Sequence, residues 1–336
     1  LAVTAALAAP MAAQAAPTLY GRLNLSVDAV DLESTDEEEV QLNSNSSRIG
    51  VKGEEALGNG YSAIYKIEWE VAGDVAGTND LSGRDRFVGL KGDWGTVKLG
   101  AYDSPLKTSQ GAVDVFNDMT YTDMEVFISG ENRLNNVIGY ESPKIADVLT
   151  IQLAVQSGED NGGAFPSDDD GQSLSLIFQS GGLYLAAAMD NDIADGTSFG
   201  ILDSLVGPLP AGVEDLFARD AIRLTGVYTM DALQLGVMLQ TSEFQRNDIF
   251  GDMDEESVLL SAAYTSGKNV YKGQLTMTTY DFGGGELEAT TLALGLDHQM
   301  SQMTKVFVQA AFAQVELTGS DDADNTVVSV GMETRF

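Results

Sequence analysis

Residues 61–71 read YSAIYKIEWEV, and their spacing decides the fold. Tyr61, Ala63, Tyr65, Ile67, Trp69 and Val71 fall on one side of an extended chain, and Ser62, Lys66, Glu68 and Glu70 on the other. A period of two is a strand with one apolar and one polar face. The pattern recurs in both directions. In 19–28, Leu19, Leu23, Leu25 and Val27 alternate with Arg22, Asn24, Ser26 and Asp28. Leu233, Leu235, Val237 and Leu239 alternate with Gln234, Gly236 and Gln240, and Val328, Val330, Met332, Thr334 and Phe336 with Ser329, Glu333 and Arg335. Helical spacing is not sustained beyond short loop pieces.

About sixteen such segments follow one another, beginning near Leu19, Arg48, Tyr61, Arg84, Thr96, Arg133, Leu149, Ser173, Leu183, Ala221, Leu233, Ser257, Val270, Glu288, Lys305 and Thr326. Their connections alternate in length. Short ones include Gly58-Asn59-Gly60, Gly181-Gly182 and Ser266-Gly267-Lys268; long ones fall near 29–46, 72–83, 103–131, 157–171, 190–219, 242–256, 281–287 and 316–325. This rhythm predicts an all-β, closed 16-stranded antiparallel transmembrane barrel, with tight turns on one side of a membrane and loops on the other. About ten residues per strand crosses the hydrocarbon when tilted. Closure is required because an open sheet edge in lipid leaves backbone N–H and C=O groups unpaired.

A soluble β-sandwich also alternates. Against it stand the strand length, above the usual five or six residues, and a polar face carrying Arg, Lys, Glu and Gln. Aromatic residues also gather near strand ends (Tyr20, Tyr61, Trp69, Trp94, Tyr140, Tyr228, Tyr264, Tyr271 and Phe336), as interface girdles do. About sixteen strands enclose a bore wide enough for water.

The 336 residues carry 18 Lys+Arg against 51 Asp+Glu, a net charge of −33, which argues against a nucleic-acid partner. There is no Cys, so disulfides and thiolate metal sites are excluded. Residues 1–15, LAVTAALAAPMAAQA, are small or apolar and end in Ala13-Gln14-Ala15. They predict the later part of a secretory signal peptide cleaved after Ala15, leaving 16–336 as the barrel domain. About fifteen residues is too short for a membrane helix, and no apolar run downstream approaches that length.

Several segments resemble the general (non-specific) trimeric porins of Gram-negative bacterial outer membranes: LYGRLNLS (19–26), SSRIGVKGEEALGNGYSAIYKIEWE (46–70), RDRFVGLKGDWGTVKLG (84–100) and RLNNVIGYESP (133–143). The terminal Phe336 is similar to that family's insertion signal. The resemblance spans essentially 17–336 and rests on the order and spacing of short motifs. It implies a homotrimer in the bacterial outer membrane, bordered by lipid and lipopolysaccharide. It also implies a third loop folded into the bore, which matches 103–131. The acids of that stretch, Asp114, Asp118, Asp123 and Glu125, then face a basic wall. Tyr121-Thr122-Asp123-Met124 resembles the part of the family loop that presents acids to the constriction.

The wall itself follows from alternation. Arg22 lies opposite Leu23, Arg48 opposite Ile49, Arg84 and Arg86 flank an outward Phe87, and Arg133 opposes Leu134. All five are expected to point inward, as are Lys52, Lys66 and Lys98. By strand position Arg22, Arg48, Arg84 and Arg133 match the family's basic cluster. Any one of these arginines could equally be a lumenal salt bridge that stiffens the wall, and any loop acid could be ordinary solvated charge; the cluster carries the reading.

Acids facing guanidiniums make a transverse field across a narrow aqueous gap, which filters by size and polarity without making bonds. The expectation is therefore passive diffusion of small hydrophilic solutes and ions, with a weak cation preference drawn from the acidic loops. The alternative is a substrate-selective channel, which would want an aromatic slide or a denser charge ladder. The acidic runs 31–39, 168–170, 252–256 and 321–324 fit neither an EF-hand loop nor a glycine-rich nonapeptide repeat. They read as solvated external loops, with divalent bridging to lipopolysaccharide as the sharper alternative. The single His298 is expected on the outer face, and no phosphate-binding glycine loop or zinc His pair is present. No cofactor and no enzymatic activity are expected.

Overall fold

The computed structural model describes residues 16–33, 37–75, 81–158, 170–194, 217–246, 253–281 and 284–336. The leader expected over 1–15 and the acidic run at 168–169 lie outside these residues. The strands are β1 Thr18–Leu32, β2 Glu37–Ser44, β3 Arg48–Gly58, β4 Tyr61–Val71, β5 Leu81–Gly92, β6 Gly95–Asp103, β7 Arg133–Glu141, β8 Leu149–Gln156 and β9 Gly171–Ser180. They continue as β10 Leu183–Ala194, β11 Phe217–Met230, β12 Leu233–Arg246, β13 Met253–Ser266, β14 Asn269–Asp281, β15 Glu286–Gln299, β16 Thr304–Leu317 and β17 Ala323–Arg335. From β3 onward each pairs antiparallel with the next. β17 returns to β1 from Arg22↔Arg335 to Leu32↔Asn325, which closes the sheet.

Seventeen segments make sixteen staves. β1 pairs with β2 along Leu25–Leu32 and with β3 along Thr18–Arg22, so β2 and β3 are two halves of one stave. The break falls at Asn45–Ser47, where Ser46 takes a positive φ of 46°. Ser47 Oγ fills the gap in the ladder: it accepts from the Asn24 N–H at 2.9 Å and lies 3.2 Å from the Asn24 carbonyl. Residues 37–44, expected inside a long connection, are therefore strand. The run Glu37-Glu38-Glu39 has poor strand propensity and masks the alternation that resumes at Val40 and Leu42.

The apolar face points away from the bore. Leu19 is 62% exposed, Ile222 60% and Val330 59%, and Leu23, Val27, Leu99, Ile138, Leu153, Leu235 and Leu294 are exposed with them. In water such a belt would drive aggregation. Facing lipid it is the outer surface of a transmembrane barrel. Tyr61, Tyr228, Tyr264 and Tyr271 border it beside the short turns. Tyr20 does not join this girdle. It faces inward and its hydroxyl donates to Glu68 Oε2 at 2.7 Å. At the seam, Phe336 exchanges backbone hydrogen bonds with Gly21 at 3.1 and 3.0 Å. Its ring occupies the space that a Cβ on Gly21 would need.

The packed core lies inside the barrel, between one wall and the chain joining β6 to β7. That chain enters as the short helix α1, Pro105–Thr108, capped by Ser104, whose side chain accepts from Lys107 N at 2.9 Å. Leu106 packs on Ala188 and Ala221. Val113, Met124, Phe127 and Ile128 pack with Val227, Met238, Phe244 and Leu259. Phe116 and Met119 pack with Ala293 and Phe307. The inner loop is thus glued by apolar contact to β10–β16 and faces β1–β7 with its polar side.

Candidate functional site across the bore

The inner face of β1–β7 carries a chain of ion pairs that ends on the loop. Asp118 is the meeting point. Its carboxylate lies 2.9 Å from Arg22 Nη2, 2.9 Å from Arg48 Nη2 and 3.9 Å from Arg84 Nη2. Arg84 also reaches Glu68 at 2.9 Å and Glu70 at 2.8 Å. Asp85 joins Lys66 at 2.8 Å to Arg133 at 2.7 Å, and Arg133 continues to Asp103 at 2.9 Å. Arg22 makes a longer contact of 3.6 Å with Glu333.

Two local irregularities build this wall and break simple alternation. Between Gly83 and Arg86, β5 has one residue more than β4: Ile67 pairs with Arg86 but Trp69 with Gly83. Such a bulge re-aims side chains. Arg84 and Asp85 both reach into the bore, and Phe87, expected outside, is the inner-face partner of Lys66 and packs edge-on to Tyr102. Arg86, expected inside, is in register with the outward Ile67, and its guanidinium lies over Gly83 at the bulge, where it edges the hollow described below. A second slip lies between Gly100 and Tyr102, opposite Asn136 with φ 56°. Leu134, expected on the outer face, is buried with Tyr102, Val137 and Ala154. Asp85 could not be found by strict alternation, because the bulge that turns it inward leaves no simple mark in a single sequence.

The four loop acids separate into two kinds. Asp118 and Glu125 face the open bore; Glu125 lies 3.9 Å from Lys107 Nζ. Asp114 and Asp123 are buried and brace the loop's own backbone. Asp114 accepts from Phe116 N at 2.7 Å and Met124 N at 2.9 Å. Asp123 accepts from Glu125 N at 2.8 Å and from Asp118 N. These side chains take up backbone N–H groups on both sides of Asp118 and so hold the turn that presents it.

Burial and neighbours tune these groups in opposite directions. Burial pushes the Asp118 carboxyl up, but Arg48, Arg22 and Arg84 outweigh it and hold it below the usual carboxylate range. Burial raises Asp114, and it raises Asp123 well above that range with help from Asp114 and Glu125. Glu125 is raised by burial, with Lys107 pulling the other way. For Lys107, burial is outweighed by Glu131, Asp103 and Glu125, which raise it.

Loop and wall enclose a polar hollow of about 340 Å³ lined by Ser46, Asn135, Gly83 and Ala101 and by eight charged residues. Four are acids (Glu70, Asp118, Glu125 and Glu131) and four are bases (Arg84, Arg86, Lys107 and Arg133). Arg22 and Arg48 stand beside it, tied to Asp118. The lysines differ in role. Lys66 belongs to the ion-pair chain. Lys52 sits 5.1 Å from the Tyr20 ring, and Lys98 sits 4.7 Å from the Tyr102 ring and 5.6 Å from that of Phe87. Lys107, Arg219 and Arg223 were not singled out by alternation. Lys107 lies in the loop, and the two arginines sit on β11 against the loop, where strand pattern alone does not tell an open inner face from a covered one. Among the described residues no His, Cys, Asp and Glu cluster suited to a metal occurs.

A sixteen-stave barrel, apolar outside, charged inside and narrowed by its own loop, is the architecture of a channel of the bacterial outer membrane. The family model of the Gram-negative porins matches residues 1–320, and the chain belongs to that family. It is similar to the major outer membrane protein P.IB of Neisseria gonorrhoeae, at 30% identity over 98% of this chain and 97% of that one. Solved structures of the same fold include the anion-selective porin from Comamonas acidovorans, with a TM-score of 0.78, 23% identity and coverage of 95% and 99%. Another is the trimer form of OmpT from Vibrio cholerae, with a TM-score of 0.71, 15% identity and coverage of 95% and 99%. The chain is accordingly an outer-membrane channel protein.

Proposed function

We propose that this chain is a non-specific diffusion porin, passing small hydrophilic solutes and ions through the gap between the inner loop and the β1–β7 wall. The observation that carries this is the polar hollow of about 340 Å³, with acids and bases facing each other across it. Fixed opposite charges give a field across the passage, and low-dielectric walls strengthen it. A polar solute exchanges hydration for wall contacts; an apolar one must disrupt ordered water. Arg22, Arg48, Arg84, Arg86 and Arg133 form the basic side, with Asp118 and Glu125 as the loop's acids.

The ion preference is set in this hollow rather than at the mouth. At physiological salt, charges more than ~8 Å apart in solvent are largely screened, so the net charge of −33 weighs little where the passage is narrowest. The cation preference expected from bulk acidity therefore has no support at the constriction. The solved relative described as an anion-selective porin supports a weak preference on the anion side. A substrate-selective channel is less favoured: the inward rings of Tyr20, Phe87 and Tyr102 lie under lysine ammonium groups and form no open slide. The OmpT trimer supports a homotrimer, with lipid and lipopolysaccharide around the outer belt and export through the leader read over 1–15. Liposome swelling tests the reading. Folded protein should admit neutral sugars at rates that fall steeply with size, and absence of swelling would overturn it.

A further inference from the structure

On β11, opposite the ion-pair chain, two arginines are completely buried, Arg219 and Arg223. Arg219 pairs with Asp190 at 2.5 Å and lies against Gly130, where φ is +89° and a Cβ would meet its guanidinium. Arg223 does more. Its Nη1 reaches Glu131 Oε1 at 2.6 Å and the Leu106 carbonyl at 3.3 Å. Its Nη2 donates to the Ser129 carbonyl at 3.1 Å, and its Nε to Gln240 Oε1 at 2.7 Å, the residue facing it in register. Leu106 begins the inner loop; Ser129 and Glu131 end it. One planar guanidinium therefore holds both ends of the loop to the barrel wall.

We propose that Arg223 is the positioning residue of the constriction, fixing Glu131 and Lys107 in the hollow and cancelling one of the hollow's acids. This rests on the diffusion-channel reading and goes beyond it, because Arg223 does not line the passage. Glu131 lines the hollow, yet its carboxylate is held by Arg223 at 2.6 Å. Its backbone carbonyl accepts from Lys107 Nζ at 2.7 Å. Arg223 thus acts on the passage through two residues that do line it. Gln240 closes the clamp from behind: its Nε2 donates to the Ser129 carbonyl at 2.9 Å. Ser129 Oγ in turn donates to Glu255, which is buried on β13. A lysine cannot replace this arrangement, because a single ammonium cannot make four directed contacts in one plane.

The test uses full-length folded protein in planar bilayers, with heat-modifiable mobility on gels as the check of folding. Arg223→Met should leave Glu131 uncompensated. The reversal potential in a KCl gradient should move toward cations, and open-channel current noise should rise several-fold. Arg223→Lys should return the reversal potential most of the way and the noise little. Arg223→Met with Glu131→Gln should abolish the cation shift but keep the noise. Should Arg223→Met fail to fold, Glu131→Gln alone decides: it must move the reversal potential toward anions. Folded Arg223→Met indistinguishable from wild type in both readouts, or an unmoved reversal potential in Glu131→Gln, would overturn the proposal. Wild-type protein that conducts nothing would instead defeat the diffusion-channel reading.

Discussion

The two halves of the barrel wall use arginine differently. On β1–β7, Arg84 and Arg133 are paired with acids yet line a polar hollow, and Arg22 and Arg48 stand beside it on Asp118. On β11, Arg219 and Arg223 are wholly buried under the inner loop. The same residue type, on the same inward face, stands at an open polar hollow in one place and is sealed under the loop in the other. What separates them is the loop. Its apolar side chains Val113, Phe116, Met124 and Phe127 choose β10–β16 as the docking wall, which leaves β1–β7 open. Desolvated on the docking wall, Arg223 spends its Nε, Nη1 and Nη2 on protein acceptors; on the open wall, the Arg48 and Arg133 side chains stay about a fifth exposed.

The sharpest way to break this contrast is to undock the loop. Gly295 leaves the space that the Phe116 ring fills, with Lys272 Nζ 4.5 Å from that ring. Gly295→Val should overpack the contact at a cost of about 1–3 kcal/mol. It should lower the temperature of the heat-modifiable transition and raise single-channel conductance. On the open wall, Asp118→Asn leaves Arg22 and Arg48 without their shared counter-charge, costing about 1–3 kcal/mol. The reversal potential should move toward anions, while conductance stays near wild type. Arg48→Gln with Arg84→Gln should move it the other way, toward cations, by a smaller amount because Asp118 and Glu68 are left partly neutralised by Arg22 and Lys66.

The smallest effect is a pH dependence from the loop's two buried carboxyls. Asp114 and Asp123 titrate above the usual carboxylate range, so the folded loop holds a proton that the unfolded chain would release. That stabilisation is present below the ordinary carboxylate value and is lost as pH rises through the raised one. Facing the pair are Glu125 and Glu131 from the loop and Gln274 and Lys272 from β14. Open-channel noise should therefore grow toward alkaline pH, and Asp123→Asn should flatten that dependence. Asp118 behaves oppositely. Its pairing is lost only as pH falls below the usual range, and acid should shift the channel toward anions.

Most of the barrel was legible because the side-chain period of a strand is fixed and lipid punishes a polar outer face. The starts of fifteen staves fall within a few residues of their expected positions. The stave broken at Ser46 was half hidden by its acidic upper part. The inward direction of charged side chains was legible where alternation is regular, at Arg22 and Arg48. It failed where an extra residue turns the chain, as at Asp85 and Phe87, and where a non-local contact decides, as at Arg223. Asp114 and Asp123 have the same composition signal as Asp118 and Glu125. Only the path of the loop separates backbone braces from bore-facing charge.

The central claim, that the paired charges of the hollow and not the acidic mouth set ion preference, is tested most directly by one measurement on folded wild-type protein. That is the zero-current potential across a planar bilayer in a KCl gradient, taken at low and at near-molar salt. A value near zero or slightly on the chloride side, changing little as salt screens the mouth, is the expected result. A strong potassium preference that collapses at high salt would contradict it.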